Sequence, residues 1–228
     1  MIIDILTLFP DMFNGPFATS MLKKAQDDGL VKINIHNLRD WANDKHKTVD
    51  DKPFGGGPGM ILKVDVIDRA LKKLKIKHVT QNQLIKRQII LLSAKGNKYT
   101  QQKGQDLSKM EHLILISGHY EGVDERVNEH LVDEEISIGD YILTGGEIPV
   151  MVMVDNIVRL IPGLLNPESL LNESFTLSTN YKLPTTNVEF PQYTRPENYK
   201  GWKVPQVLLS GNHKEIEKWK ATNSTRSA

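Results

Sequence analysis

An α/β domain built on a parallel sheet is the fold class this sequence predicts, and three observations predict it. Short apolar runs alternate with segments of helical period through residues 1–162. Two of those runs, residues 88–93 and 112–117, each hold four consecutive apolar residues, as expected of strands covered on both faces. Glycine-bearing segments follow strand candidates, at the end of an open parallel sheet where ligands bind.

In chain order, residues 2–9 and 31–35 read as strands, with a helix over 17–28 between them that stops at Gly29. Residues 64–74 read as a helix because Val64, Ile67, Leu71 and Leu74 fall on one face. The two apolar strands follow, then a short helix over 124–131 and a longer, almost wholly apolar helix over 149–161. At Pro162-Gly163 the character changes: residues 162–196 hold five prolines and little periodicity. The expected organisation is an α/β domain over 1–162, a flexible linker over 163–180 and a small basic helical domain over 181–228. In that last part, residues 204–209 and 212–220 carry the helical pattern.

The 228 residues are 39% hydrophobic and 25% charged, ordinary for a soluble globular protein. Absence of cysteine excludes disulfides and thiolate zinc sites and points to a reducing compartment. The N-terminus enters a strand pattern with no basic leader, and no apolar run reaches spanning length. A cytoplasmic protein with no membrane partner is expected. The net charge of +1 hides strong segregation. Residues 68–109 hold eleven basic and two acidic residues; residues 110–147 hold one basic and ten acidic. From Lys182 onward there are eight basic and four acidic residues, a balance suited to a phosphate backbone. The acidic run is expected to keep polyanions off its own face.

Three glycine-bearing segments follow strand-like runs: Ser93-Ala94-Lys95-Gly96, Gly118-His119-Tyr120-Glu121-Gly122, and the stretch from Ser137 to Glu147 that contains Gly139, Gly145 and Gly146. Ordinary turns explain one or two such loops; three at one sheet end favour a ligand read by backbone groups, such as an adenine, with Glu121 facing a ribose or an amino group. Residues 45–60 form a long loop mixing lysines, acids and glycines, suited to a phosphate backbone or an extruded base. Pro10-Asp11-Met12 after the first strand argues against a dinucleotide-binding turn, and Gly55-Gly56-Gly57-Pro58-Gly59-Met60 lacks the lysine of a P-loop. The seven histidines show no close metal-ligand spacing.

These residues carry a resemblance. Leu8-Phe9-Pro10 with Met12-Phe13, residues 46–60, 118–127 and 137–149, and Arg159-Leu160-Ile161-Pro162-Gly163 all belong to it. So do Tyr193-Thr194-Arg195-Pro196-Glu197, Val204-Pro205 and Leu208-Leu209-Ser210-Gly211-Asn212-His213. The chain resembles, over nearly its full length, the bacterial tRNA guanine-N1 methyltransferases that act at position 37, beside the anticodon. These belong to the SPOUT class of knotted methyltransferases.

The resemblance implies a parallel-sheet SPOUT domain with a C-terminal deep trefoil knot, followed by a small helical tRNA-binding domain. It implies S-adenosylmethionine at Leu92, Ser93, Gly118, Tyr120, Glu121, Ile138, Gly139, Asp140, Tyr141, Ile142, Leu143, Gly145 and Gly146. It implies tRNA contacts at Lys45, His46, Asp50, Gly57, Lys214 and Lys218, and a magnesium requirement whose ligands no motif identifies. The family works as a homodimer with its active site at the subunit interface. By motif position Arg159 stabilises charge on guanine O6, and Glu173 is the general base. Here the sequence departs from the family, which has Asp-Ser-Phe where this chain has Glu173-Ser174-Phe175. Ala94 also stands where proline is common, and Lys45, Lys47 and Lys52 where arginines are frequent. A non-catalytic RNA-binding or assembly protein, and a methyltransferase aimed at ribosomal RNA, are the alternative functions.

Overall fold

The computed structural model describes residues 1–77, 85–167, 169, 173–175 and 188–224. They fall into two compact units, Met1–Leu164 and Leu165–Ala228. The first unit is built on a five-stranded sheet with the order β2-β1-β6-β5-β7. Its strands are β1 (Ile2–Thr7), β2 (Lys32–Asn37), β5 (Arg87–Lys98), β6 (His112–Ser117) and β7 (Glu134–Ser137). Every pairing in it is parallel. Two short strands, β3 (Asp50–Asp51) and β4 (Ile61–Leu62), close the long loop into a hairpin.

Strand alternation divides the core into two layers. Ile3, Ile5, Ile90, Leu92, Leu113 and Leu115 pack on one face of the sheet. Over them lies α6 (Glu147–Arg159), which buries Val150, Met153, Val154, Ile157 and Val158 at helical spacing. Leu6, Ile89, Leu91, Ile114 and Ile116 pack on the other face. There α3 (Val64–Lys77) supplies Val66, Ile67, Ala70, Leu71 and Leu74. The α/β expectation with a parallel sheet is met.

A carboxylate sits within the core. Asp4 is fully buried and accepts from Asn34 at 3.0 Å, while His36 Nε2 and His112 Nε2 each lie 2.7 Å from it. Burial works against its charge. Hydrogen bonds to His112, His36 and Asn34, with the charge interaction of His36, outweigh burial and hold the carboxyl well below the usual carboxylate range.

The structure differs from the sequence reading at three places in this unit. The helix expected over 17–28 is two pieces, α1 (Asn14–Phe17) and α2 (Ser20–Asp27), because Thr19 is extended and Ser20 has a φ of 51°. β5 runs past Gly96 to Lys98: residues 93–96 leave the ladder and the pairing with β7 resumes at Asn97. A helix, α4 (Gln101–Leu107), follows, whose polar sequence shows no apolar period; α5 (Glu125–His130) comes next, after β6, close to where a helix was expected.

The second unit is small. A hairpin pairs Asn198–Tyr199 with Trp202–Lys203, and helices span Gln206–Leu209 and His213–Asn223. Phe190, Tyr193 and Trp219 cluster, with ring centroids 6.4 Å and 6.3 Å from the Trp219 ring. Half of the expected 163–180 linker (168, 170–172 and 176–180) lies outside the described residues, and Leu164 is packed into the core of the first unit. Among the described residues no helix is long and apolar enough to cross a membrane.

Candidate functional site

β6, β5 and β7 are neighbours in the sheet, so the loops that leave or interrupt them gather at one end. They enclose a cavity of about 1070 Å³. Its walls include Leu92 and Ser93 from the β5 excursion, Gly118, Tyr120 and Glu121 after β6, and Ile138, Gly139, Tyr141, Ile142, Leu143, Gly145 and Gly146 after β7. Of the expected cofactor residues, only Asp140 lies off these walls; it pairs with Lys98 on the protein surface.

The glycines here are required first by the protein's own chain. The Gly146 N–H donates to the Gly118 carbonyl at 2.7 Å. A Cβ on Gly146 would stand 2.6 Å from the Gly118 nitrogen and 2.7 Å from Ser117 Cα, both backbone atoms that cannot step aside. A Cβ on Gly145 would meet the Glu147 carboxylate at 2.5 Å and the His119 ring at 2.6 Å. On Gly139, φ 158°, it would strike the Tyr141 ring. Tyr120 holds a φ of 60° without being glycine, a strained conformation of the kind that collects at binding sites.

Several contributors escape sequence reasoning. Glu147 is buried at the first turn of α6, where the helix dipole favours a carboxylate, and accepts from Thr7 Oγ1 at 2.8 Å. That partner is 140 residues away in sequence, so no local motif reveals it. Asp124 and Arg126 also line the cavity; Arg126 donates through Nε at 2.8 Å and a terminal nitrogen at 2.6 Å to the two Asp124 oxygens. Those bonds hold the Asp124 carboxyl below its ordinary range. The D-E-R run was the available signal.

The 45–60 loop is fastened to this end of the sheet. Glu121 N–H donates to the Met60 carbonyl at 3.1 Å, Leu62 N–H to Gly122 at 3.0 Å, and Asp124 N–H to Leu62 at 3.0 Å. Asp51, Lys52, Pro53 and Phe54 extend the cavity wall. Asp44 shapes the loop's first bend by accepting from His46 N–H, Thr48 N–H and Thr48 Oγ1. Lys45 and His46 stand exposed on that bend, Asp50 is half-buried in β3, and Gly57 has a φ of 120°. Lys214 and Lys218 are exposed on the helix His213–Asn223 of the second unit.

Arg159 ends α6 in the first unit, and Glu173 lies half-buried in the second. The acidic run is less bare than its composition suggests. Glu125, Glu134 and Asp140 pair with Lys95, Lys103 and Lys98 of the basic run that precedes it. Among the described residues, no three His, Asp or Glu side chains gather to hold a metal ion.

The model of the family described as tRNA (Guanine-1)-methyltransferase TrmD matches residues 1–228. A tRNA (guanine-N(1)-)-methyltransferase of Dictyoglomus turgidum is 52% identical over 219 residues, 96% of this chain and 82% of the relative. Those of Carboxydothermus hydrogenoformans and Bacillus pumilus are 51% and 50% identical, covering 97% and 98% of this chain and 82% and 87% of their own lengths. With a family match that runs from end to end and a relative 52% identical over 96% of its length, this chain belongs to the tRNA (guanine-1)-methyltransferase TrmD family.

Proposed function

We propose that this protein methylates N1 of guanine at position 37 of tRNA, using S-adenosylmethionine, as a cytoplasmic homodimer. One observation carries the reading: the three glycine loops meet in a single cavity, in a chain the family model matches throughout. The cavity fits that cofactor in size and chemistry. Leu92, Ile138 and Leu143 offer apolar surface for an adenine, the glycine loops bring backbone groups to the wall, and Glu121 offers a carboxylate for a hydroxyl or amine. Glu121 and the residues around Gly118 and Ile138 would hold it.

When bound, S-adenosylmethionine supplies a methyl group already activated on a sulfonium, so much of the barrier is lowered by positioning. Guanine N1 carries a proton and is a poor nucleophile until a base removes it. We assign that proton to Glu173, which keeps the family's carboxylate on a side chain one methylene longer. Charge then builds toward O6, where the Arg159 guanidinium is assigned to offset it. No step is assigned to magnesium.

Two family features have support in the first unit. Phe9, Met12, Ile148 and Val152 are large apolar residues each 42–46% exposed, a surface that a second copy would cover. The crossing of Gly146 over Gly118 is the kind of tight chain-on-chain passage that a trefoil knot needs. We assign the 45–60 loop, through Lys45, His46, Asp50 and Gly57, and the second unit, through Lys214 and Lys218, to the anticodon arm. The target base must leave its stack for N1 to be reached.

Single-turnover methyl transfer to a transcript with guanine at position 37 tests the reading. Signal is expected there and is expected to vanish when that base is adenine. Methylation of the adenine transcript, or none of either, rejects it. Glu173→Ala is expected to slow the transfer step by about 100-fold with binding retained, and Glu173→Asp to restore it; full activity of the alanine variant refutes the assigned base.

A further inference from the structure

The hairpin of the second unit presents features that the methyl-transfer reading does not use. Lys200 and Gly201, with φ of 55° and 92°, form its turn, and both positive values match the tight type I′ geometry. Asn198 Oδ1 accepts from Gly201 N–H at 2.9 Å, and Val204 N–H donates to the Glu197 carbonyl at 2.9 Å, so the frame is braced at both ends. Tyr199 stands directly opposite Trp202, which puts both rings on one face with centroids 5.7 Å apart. That face meets no core: Tyr199 is 51% exposed and Trp202 73%.

The charges around the rings say what belongs there. Lys200 places its ammonium 5.3 Å from the centre of the Tyr199 ring, and Lys203 follows Trp202 in the chain, against the single acid Glu197. Aromatic rings beside lysines are the chemistry of unpaired nucleotides, whose bases stack while their phosphates are neutralised. A second copy of the chain is the poorer occupant. Two aromatic side chains bury about 300–500 Å² between them, well short of the roughly 800 Å² per partner of a stable protein interface.

We propose that Tyr199 and Trp202 form a stacking platform for an unpaired base of the RNA substrate, with Lys200 and Lys203 holding the phosphates beside it. The proposal rests on the tRNA methyltransferase reading and adds to it a nucleotide contact distinct from the target guanine's site.

The test uses the full chain and three probes: an anticodon stem-loop RNA, the same RNA with abasic loop positions, and a fully paired RNA of equal length. Trp202→Ala is expected to weaken stem-loop binding by about tenfold, with Trp202→Phe retaining most of the affinity. The abasic and paired RNAs are expected to bind the wild type and Trp202→Ala alike. Lys200→Gln with Lys203→Gln is expected to flatten the salt dependence, which Trp202→Ala leaves unchanged. Unchanged stem-loop binding by Trp202→Ala overturns the proposal, as does an equal loss for all three RNAs. A shift in oligomeric state with RNA affinity intact overturns it in favour of a contact between copies. Methyl transfer by the same preparations separates the two claims. An active wild type whose Trp202→Ala variant binds normally rejects only the platform, whereas an inactive wild type whose loop binding still needs Trp202 rejects only the enzyme reading.

Discussion

Residues 1–164 and 165–228 solve the problem of staying folded in different ways. In the first unit, β1, β5 and β6 carry apolar side chains into both layers, and residues such as Ile5, Leu113 and Ile157 lose all contact with water. In the second, no described residue is buried; the aromatic cluster around Trp219 and the exposed hairpin take the place of a core. The contrast teaches where rigidity is needed. A cavity walled by three loops must hold its shape, while the RNA contact proposed for the second unit would use the aromatic surface that unit leaves exposed.

Core truncation tests the contrast most strongly. Leu113→Ala should cost about 4 kcal/mol and lower the melting temperature of the first unit by roughly 10 °C. Trp219→Ala should cost about 1 kcal/mol and leave that transition in place. A collapse of both units by the tryptophan variant would break the comparison. Next comes Gly146→Ala, whose new methyl meets fixed backbone and should cost about 3 kcal/mol. Gly15→Ala, with nothing within 4 Å of the added atom, is its control and should melt like the wild type.

Acid sharpens the comparison further. The Asp4 carboxyl is held below its usual value in the folded chain, so folding favours its ionised form. Its stabilisation is complete above the unfolded value of about 3.9 and drains away as pH falls below it. Asp4→Asn should be less stable by about 2 kcal/mol at neutral pH, with a flatter loss of first-unit stability in acid. Equal acid slopes in denaturation curves for the two proteins would refute this. The smallest effect belongs to Lys98→Ala, which removes an exposed ion pair to Asp140 and should move the melting temperature by less than about 1 °C.

How much of this was legible depends on the reach of each interaction. Residues 112–117 declared themselves a buried strand because every position is covered, and α6 did so by its apolar length. β5 past Gly96 did not, because Ser93-Ala94-Lys95-Gly96 reads as a turn and only β7, far along the chain, takes the strand back. Charge segregation was visible, but its partial cancellation by Lys95–Glu125 and Lys103–Glu134 was not, since those partners lie about thirty residues apart in the chain. The glycine loops point to a ligand in the sequence, but for a reason that is incomplete. Gly146 is required by Gly118 whether or not a ligand is present.

The crossing at Gly118 and Gly146 also sets a clock on synthesis. Residues 137–147 can seat against the end of β6 only after they leave the ribosome, and α6 follows them as the lid of one whole core layer. Between Thr7 and Val158 the ribosome needs roughly 8 to 30 s at ordinary elongation rates. Throughout that interval Ile3 and Ile5 have no α6 to cover them, and Leu113 joins them once it is made. The nascent chain therefore spends its most exposed moments waiting for the segment that completes its cavity, and a slow codon before residue 158 prolongs the hazard more than one after it.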